Sequence, residues 1–438
     1  MARQTAAESP GGSQPLILRS PALRASCWLE AGDLLVPPPS EAEAEPWRHQ
    51  PLEVLIAHLA ALHAARAPLA DFAGPARALM EWVDGPVDSV AAIEGFRRAA
   101  DALRAALVGE AVTFVVNRNL NTSNHCRLHC GFCAFRRDPG QEGAYRLPLE
   151  ELQHRAAEAH RLGATELCLQ AALDPEARLD GSAVAFAERL LLVLAEAAPG
   201  IHLHAFSPQE LLWFAESDGV SLDRVLERLL AAGLGSVPGT AAEVLSERVR
   251  RVLCPEKLSA RAWVAVIRQV HSHGIASTST LMAGHLEAPA DRAAHLLTLL
   301  ALQRRAQAQG EPGFSEFVLL PFVGAAAPAP LRARVGRDQP DAAAMLLLTA
   351  QARLLLGPAI RHHQSSWVKL TLPVAAEALR WGCDDLGGTL MEEHITTMAG
   401  ALGGTAQSPE ALAAAARSQG RPVRQRSTLY GQPERNAA

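Results

Sequence analysis

The chain has 438 residues, of which 49% are hydrophobic and 20% charged, with a formal net charge of −5. That is the composition of a globular protein with a large core, and the mildly acidic balance argues against a dedicated nucleic-acid or anionic-membrane surface. The apolar runs fall short of the ~20 residues that span a bilayer, and the opening MARQTAAESPGGSQ lacks the apolar stretch of a signal peptide. Seven cysteines, an odd number without a disulfide-like array, suit a reducing cytosol, so a cytoplasmic location is expected.

Residues 1–50, rich in Pro, Gly, Ser and Ala, read as a flexible leader. Over 51–110, apolar residues recur at helical spacing and predict two or three helices. TFVVNRNLN then has the β-branched and aromatic content of a strand. From there to residue 403, helices alternate with the apolar segments ELCLQAAL, IHLHAFS, GSVPGT, IASTSTLMAGH, GFSEFVLLPFV, RHHQSSWVKL and CDDLGG, making eight strands in all. Alternation of this kind argues for a parallel sheet, and eight units argue for a (β/α)8 barrel. The fold class expected is therefore α/β, a TIM-type barrel over 111–403 with N-terminal helices. Residues 404–438 read as one further helix and a polar tail. No internal repeat or coiled-coil heptad is visible.

The most informative string is NTSNHCRLHCGFCAF, directly after the first strand, where Cys126, Cys130 and Cys133 are spaced by three residues and then two. Three thiolates can hold three irons of a [4Fe–4S] cube and leave the fourth iron open to S-adenosylmethionine (SAM). Thiolates suit zinc as well, with His125 and His129 as further ligands, but structural zinc ordinarily takes four ligands in paired arrangements. The apolar Phe132 before the last cysteine and the strand leading into the loop favour the cluster. So does the barrel, whose chemistry sits in loops at the C-terminal ends of strands.

Together with HAFSP, PGTAAEVL, CPEKLS, LPFV, SSWVKL, DDLGGTLMEEHI and QRSTLY, in that order, this string resembles the radical SAM enzymes of deazaflavin (F0, coenzyme F420) biosynthesis. The resemblance spans residues ~100–430 in matching order, and it implies a [4Fe–4S] cluster and SAM as cofactors. It further implies a transferase that cleaves the Cα–Cβ bond of L-tyrosine and joins the 4-hydroxybenzyl group to 5-amino-6-(D-ribitylamino)uracil. A ferredoxin- or flavodoxin-type electron donor and a partner radical SAM subunit that closes the deazaflavin ring are implied as partners, with no nucleic acid and no membrane. The rivals are a futalosine-pathway enzyme of menaquinone synthesis, which shares loop and barrel, and a diverged cluster-binding barrel that no longer cleaves SAM.

By the same resemblance, Cys126, Cys130 and Cys133 hold the metal, with Phe132, Gln170 and Ala171 beside SAM. Here Ala171, Ala172 and Asp174 stand where the family pattern resembles a Gly-Gly pair and Leu-His-Pro, so backbone contacts to SAM survive only if φ stays negative and the methyl groups clear the ligand. Glu243 corresponds to an acid that binds the ribose or amino acid part of SAM in related barrels, often together with an arginine of the next helix, for which Arg248 and Arg250 are the candidates. For the substrates, His204 and His285 sit at strand ends, as inward ligands or as core histidines. Gln364, Ser366, Lys369, Asp384 and Asp385 make the last strands polar enough to need either a ligand or one another. Glu316, early in its strand, reads as structural. Gly387 and Gly388 are read as opening a helix whose N-terminus suits an anion. Cys27, Cys168, Cys254 and Cys383 are read as structural. The only lysines are Lys257 and Lys369, and the only tyrosines Tyr145 and Tyr430.

Overall fold

The computed structural model of the chain describes residues 22–23, 34–82 and 90–433. Its centre is a ten-stranded sheet whose pairings are all parallel. The strands are β1 (Val112–Val115), β2 (Asn117–Leu120), β3 (Glu166–Leu169), β4 (His202–Ala205), β5 (Leu234–Val237), β6 (Ala276–Ala283), β7 (Phe314–Pro321), β8 (His363–Ser365), β9 (Asp385–Gly388) and β10 (Val423–Gln425). β1 and β2 are the two halves of the first expected strand, parted at Val116. β2 pairs with β3 and β1 with β9, so the sheet curls until its two ends meet at one strand. The expected α/β barrel is what forms.

The helices between strands start where the sequence supplies caps. Ser182, Ser207, Ser221, Ser259, Asp341 and Ser408 each accept the backbone N–H three residues on. Leu222–Ala231 shows the pattern at its plainest, burying Leu222, Val225, Leu226 and Leu229 as one stripe. On the strands, period-two alternation sends Leu167, Leu169, Leu203 and Ala205 outward into the helix layer, buried almost completely. Each such leucine contributes about 2 kcal/mol of burial.

The inward set is different. Asn117, Asn119, Glu166, Cys168, His204, Thr278, Thr280, Glu316 and Gln364 line the interior. In the register Asn119, Cys168, His204 and Ser236 follow one another across β2 to β5. Barrel interiors are ordinarily packed with branched apolar layers; this one is polar and open, which marks it as a site.

Helices Leu52–Ala64, Leu69–Glu81 and Val90–Val108 pack outside the barrel against Pro289–Gln309 and Ala342–Leu356. The flexible-leader expectation needs correction at its end. Glu41–Arg48 is a helix with a Ser40–Glu43 capping box, anchored where Arg48 and Arg77 share Glu81. The rest of that expectation, and Cys27, fall mostly outside the described residues. Helix Pro409–Ser418 forms as expected, but the polar tail behind it adds β10 to the sheet beside β1. No described helix is long and apolar enough to cross a membrane.

Candidate active site

The three cysteines occupy the loop that leaves β2. The loop is folded back on itself: Arg137 N–H donates to Asn124 O at 2.8 Å and Cys126 N–H to Arg137 O at 3.3 Å. The Asn124 side chain bridges Gly143 O and Tyr145 N. Gly131 N–H ties the turn to Leu253 O at 3.0 Å. Beneath, Leu128, Leu173 and Trp213 form a small apolar cluster, with the Arg127 guanidinium 4.7 Å from the Trp213 ring centre. Cys126, Cys130 and Cys133 are free, partly exposed thiols that line one wall of a cavity of about 380 Å³ inside the barrel, together with Phe132. Burial pushes the thiols of Cys126 and Cys130 up, with the positive charge of Lys257 acting against it.

This donor set fits an iron–sulfur cube. Its thiols share a wall, yet among the described residues no three His, Cys, Asp or Glu side chains converge as the ligands of one ion would. A cube takes each thiolate on a separate iron and asks for no such convergence, whereas tetrahedral zinc does. His129 is engaged by Glu256 and Arg136, and the nearest acid to His125 is Asp174, at 3.8 Å from an Nδ1 that makes no hydrogen bond among the described residues.

The segment after β3 lies against this loop. Ala172 N–H donates to Ser123 O, and Arg127 N–H to Leu173 O. Asp174 accepts from Ser123 Oγ at 2.7 Å and takes Arg146 bidentately at 2.6 and 2.7 Å. It therefore ties the cysteine loop to the strand end. Neither Ala171 nor Ala172 is among the residues with positive φ, so the backbone condition for alanine in place of glycine is met. Gln170 and Ala171 line the cavity; Gln170 O already accepts from Asn121 Nδ2 at 2.7 Å.

Glu243 also lines the cavity, on a loop where Ala241 and Glu243 both have left-handed φ, +68° and +47°. Neither arginine expected to bind SAM beside it lines the cavity. Arg248 is 61% exposed and reaches outward to Asp291 and Leu286 O. Arg250 is buried and spends its guanidinium on the carbonyls of Ala241, Ala242 and Leu258. The cation that meets Glu243 is Lys257, which also lies 5.2 Å from the Phe132 ring centre. Burial pushes the Glu243 carboxyl up, but the charge and hydrogen bond of Lys257 bring it below its ordinary value.

Deeper in the cavity, His204 Nδ1 and His202 Nε2 each lie 2.7 Å from Ser236 Oγ, one ring receiving and the other giving the proton. Burial pushes His204 down to about 4, against the pull of Glu166. Glu210, in the capping box of Pro208–Asp218, is pushed by burial up to about 7. Gln364 and Lys369 line the same space. Burial pushes the Lys369 ammonium down to about 8, and it has no hydrogen-bond partner among the described residues.

Two expected residues lie elsewhere. His285 turns back on its own strand end, bonding Met282 O and Leu286 N beside Glu287, with its side chain fully buried. Asp384 points out of the barrel: alternation sends it to Arg353 and His362 and leaves Asp385 inside with Arg426. Glu316, read from sequence as structural, lines the cavity. Gly388 opens no helix; it ends β9, and any Cβ there would lie 2.0 Å from Asn117 Oδ1. Sequence reasoning missed Asn117, Asn119, Glu166, Glu210 and Arg426. The inward phase of each strand could have found all but Glu210 and Arg426.

Comparison with known proteins agrees with this geometry. Residues 120–299 match the Radical SAM superfamily. The chain is 55% identical over 333 residues to the 5-amino-6-(D-ribitylamino)uracil–L-tyrosine 4-hydroxyphenyl transferase of Synechococcus elongatus, covering 76% of this chain and 86% of that one. It is 52% identical over 339 residues to the protein of the same name from Microcystis aeruginosa, covering 77% and 90%. Among solved structures, the FeFe-hydrogenase maturase HydG of Carboxydothermus hydrogenoformans superposes with a TM-score of 0.64 at 14% identity, over 93% of this chain and 86% of that one.

Proposed function

The chain belongs to the radical SAM superfamily and, within it, to the 5-amino-6-(D-ribitylamino)uracil–L-tyrosine 4-hydroxyphenyl transferases, and from that premise we propose how its cavity carries out that transfer. Its cofactors are a [4Fe–4S] cluster and SAM. When bound, they would supply a 5′-deoxyadenosyl radical to take a hydrogen atom from L-tyrosine, whose Cα–Cβ bond would then break to leave a two-carbon imine and a 4-hydroxybenzyl fragment that joins carbon 5 of the pyrimidine. The observation that carries the reading is that the cysteine wall and the polar interior belong to one enclosed space.

Within it, Cys126, Cys130 and Cys133 hold the cluster. Glu243, kept ionised by Lys257, and the Gln170–Ala171 backbone bind SAM at the rim, while Phe132 packs beside it. His204, Gln364 and Lys369 face the substrates below. Lys369, an ammonium within reach of the charges of Glu243 and Glu393 but without a hydrogen-bond partner among the described residues, suits the carboxylate of the amino acid. The apolar seal of Leu128, Leu173 and Trp213 keeps water from the cysteine loop. The protein acts in the cytoplasm, as its free cysteines favour. It draws electrons from a ferredoxin- or flavodoxin-type donor and passes its product to a ring-closing radical SAM partner.

The test is anaerobic: reconstituted, reduced protein is supplied with SAM, tyrosine and 5-amino-6-(D-ribitylamino)uracil, and products are followed by mass spectrometry. A tyrosine-dependent hydroxybenzyl adduct, absent in Cys126→Ala, is expected. 5′-Deoxyadenosine without the adduct would leave the radical chemistry and overturn the substrates.

A further inference from the structure

The C-terminal segment reaches the cavity from below. β10 runs beside β1 and leads into Arg426, which lines the cavity, and Tyr430. Arg426 has no N–H left for a ligand. Nε and Nη2 bind the Asp385 carboxylate, Nη1 donates to the carbonyls of Ser427 and Thr428, and Nη2 also donates to Glu316 Oε2 at 3.3 Å. The same Oε2 accepts the Tyr430 hydroxyl. Tyr430 is itself fixed: its ring stacks on His362 with centres 3.6 Å apart and carries the Arg426 guanidinium at 4.1 Å.

Two contacts from more than a hundred residues away thus clamp one oxygen of Glu316. The other oxygen, Oε1, has no partner among the described residues, although the side chain is buried and lines the cavity. Oε2 is thus spent on the frame, while Oε1 opens to the cavity, where the N–H of a ligand can reach it. Two further lining groups are similarly idle. Asn119 Oδ1 is buried without a partner. The Gln364 amide, opposite Val318 in the register and hence one pleat from Glu316, makes no side-chain hydrogen bond among the described residues. A carboxyl with a carboxamide on the neighbouring strand offers acceptors and donors together, the complement of a planar heterocycle with an amide edge and exocyclic amines.

We propose that Glu316 binds the pyrimidine substrate, its free oxygen pairing with the amide edge of the ring, and that Arg426 and Tyr430 are positioning residues which make the C-terminal segment part of the site. The proposal rests on the transferase reading above. Its test is calorimetric titration of the cluster- and SAM-loaded protein with 5-amino-6-(D-ribitylamino)uracil and with L-tyrosine, separately. Glu316→Gln keeps the side-chain shape and is expected to weaken the pyrimidine about 10- to 100-fold, the range for a hydrogen bond to a charged group, with tyrosine within about two-fold. Tyr430→Phe keeps the stacked ring and loses only the hydroxyl. It is expected to weaken the pyrimidine about 3- to 10-fold at an unchanged melting temperature. Unchanged pyrimidine binding in both variants, equal losses for the two ligands, or a loss confined to tyrosine would overturn the proposal. Wild-type protein that binds neither ligand would instead overturn the transferase reading itself.

Discussion

Lys257→Met keeps an apolar stem of similar length but strips Glu243 of its counter-charge. The pair is well desolvated, with side-chain exposures of 16% and 11%. At an effective dielectric near 20, two unit charges ~4 Å apart attract by about 4 kcal/mol. Removing one partner of a buried pair costs about 3–5 kcal/mol, because the survivor is left charged and unsolvated. Glu243 cannot easily swing out to water, since its loop is fixed by the Arg250 guanidinium and by Met282 N–H on Glu243 O at 2.8 Å. The single variant is therefore expected to lose about 3 kcal/mol at pH 7.5, and Lys257→Met/Glu243→Gln to recover about 2 kcal/mol of it, a coupling within the range for residues in direct contact. Urea unfolding of the four proteins of the cycle, at one pH and compared by linear extrapolation, measures this. Coupling below about 0.5 kcal/mol would mean that the two charges are independently solvated, and the account of Glu243 as a carboxylate kept ionised by Lys257 would fail.

Three other predictions are cheaper to check. Cys126→Ala, Cys130→Ala and Cys133→Ala should each abolish bound iron and SAM cleavage, while Cys383→Ala, buried outside the cavity, should keep iron content near wild type. Asp174→Ala removes the bidentate Arg146 contact and the Ser123 bond together. It should cost about 2–3 kcal/mol and lower cluster retention after gel filtration, with SAM cleavage per remaining cluster unchanged. Burial pushes His271 and His295 down to about 3, whereas in the unfolded chain each titrates near 6.5. The unfolded state therefore takes up protons first, so their contribution to stability is complete above pH ~6.5 and falls by about 1.4 kcal/mol per unit for each histidine as pH drops toward 3. Urea midpoints at pH 7.5, 6.0 and 5.0 should fall accordingly, and His271→Gln should flatten the slope; a parallel slope would refute its share.

The cysteine loop and the alternation of strands and helices were legible because both are local patterns: a fixed spacing, and a change of hydrophobic period. Glu243 was legible as the acid after β5, but its partner was not. A helical arginine five or seven residues on looks better placed than a lysine beyond the next helix, until the left-handed backbone at Ala241 and Glu243 folds the loop back onto Lys257. Asp384 failed by one residue of strand phase. CDDLGG offers two acids, and only the pairing of Thr113 with Asp385 decides that the second faces inward. His285 failed because Gly284, at φ +90°, turns the chain away from the strand line. Glu316 was noticed but read as structural, since its partners Arg426 and Tyr430 join it only through the parallel pairing of β10 with β1.

The cations of this chain divide by chemistry. It uses arginine almost everywhere, and the buried guanidiniums of Arg250, Arg353 and Arg426 are spent on carbonyls and carboxylates of the frame. A planar fork with five donors is suited to this, because it fixes several chain segments at once. Lysine is a point charge on a mobile stem, poor at cross-bracing but able to follow a ligand. Both lysines of the chain line the cavity, one held by Glu243 beside the cysteine wall and one with no hydrogen-bond partner among the described residues. Exchanging them therefore separates frame from ligand: Lys369→Arg should keep stability but perturb tyrosine binding, since the larger fork displaces the substrate it would have to follow. Equal tyrosine affinity in Lys369→Arg and Lys369→Met, both unchanged from wild type, would show that the deeper ammonium serves only the cavity wall.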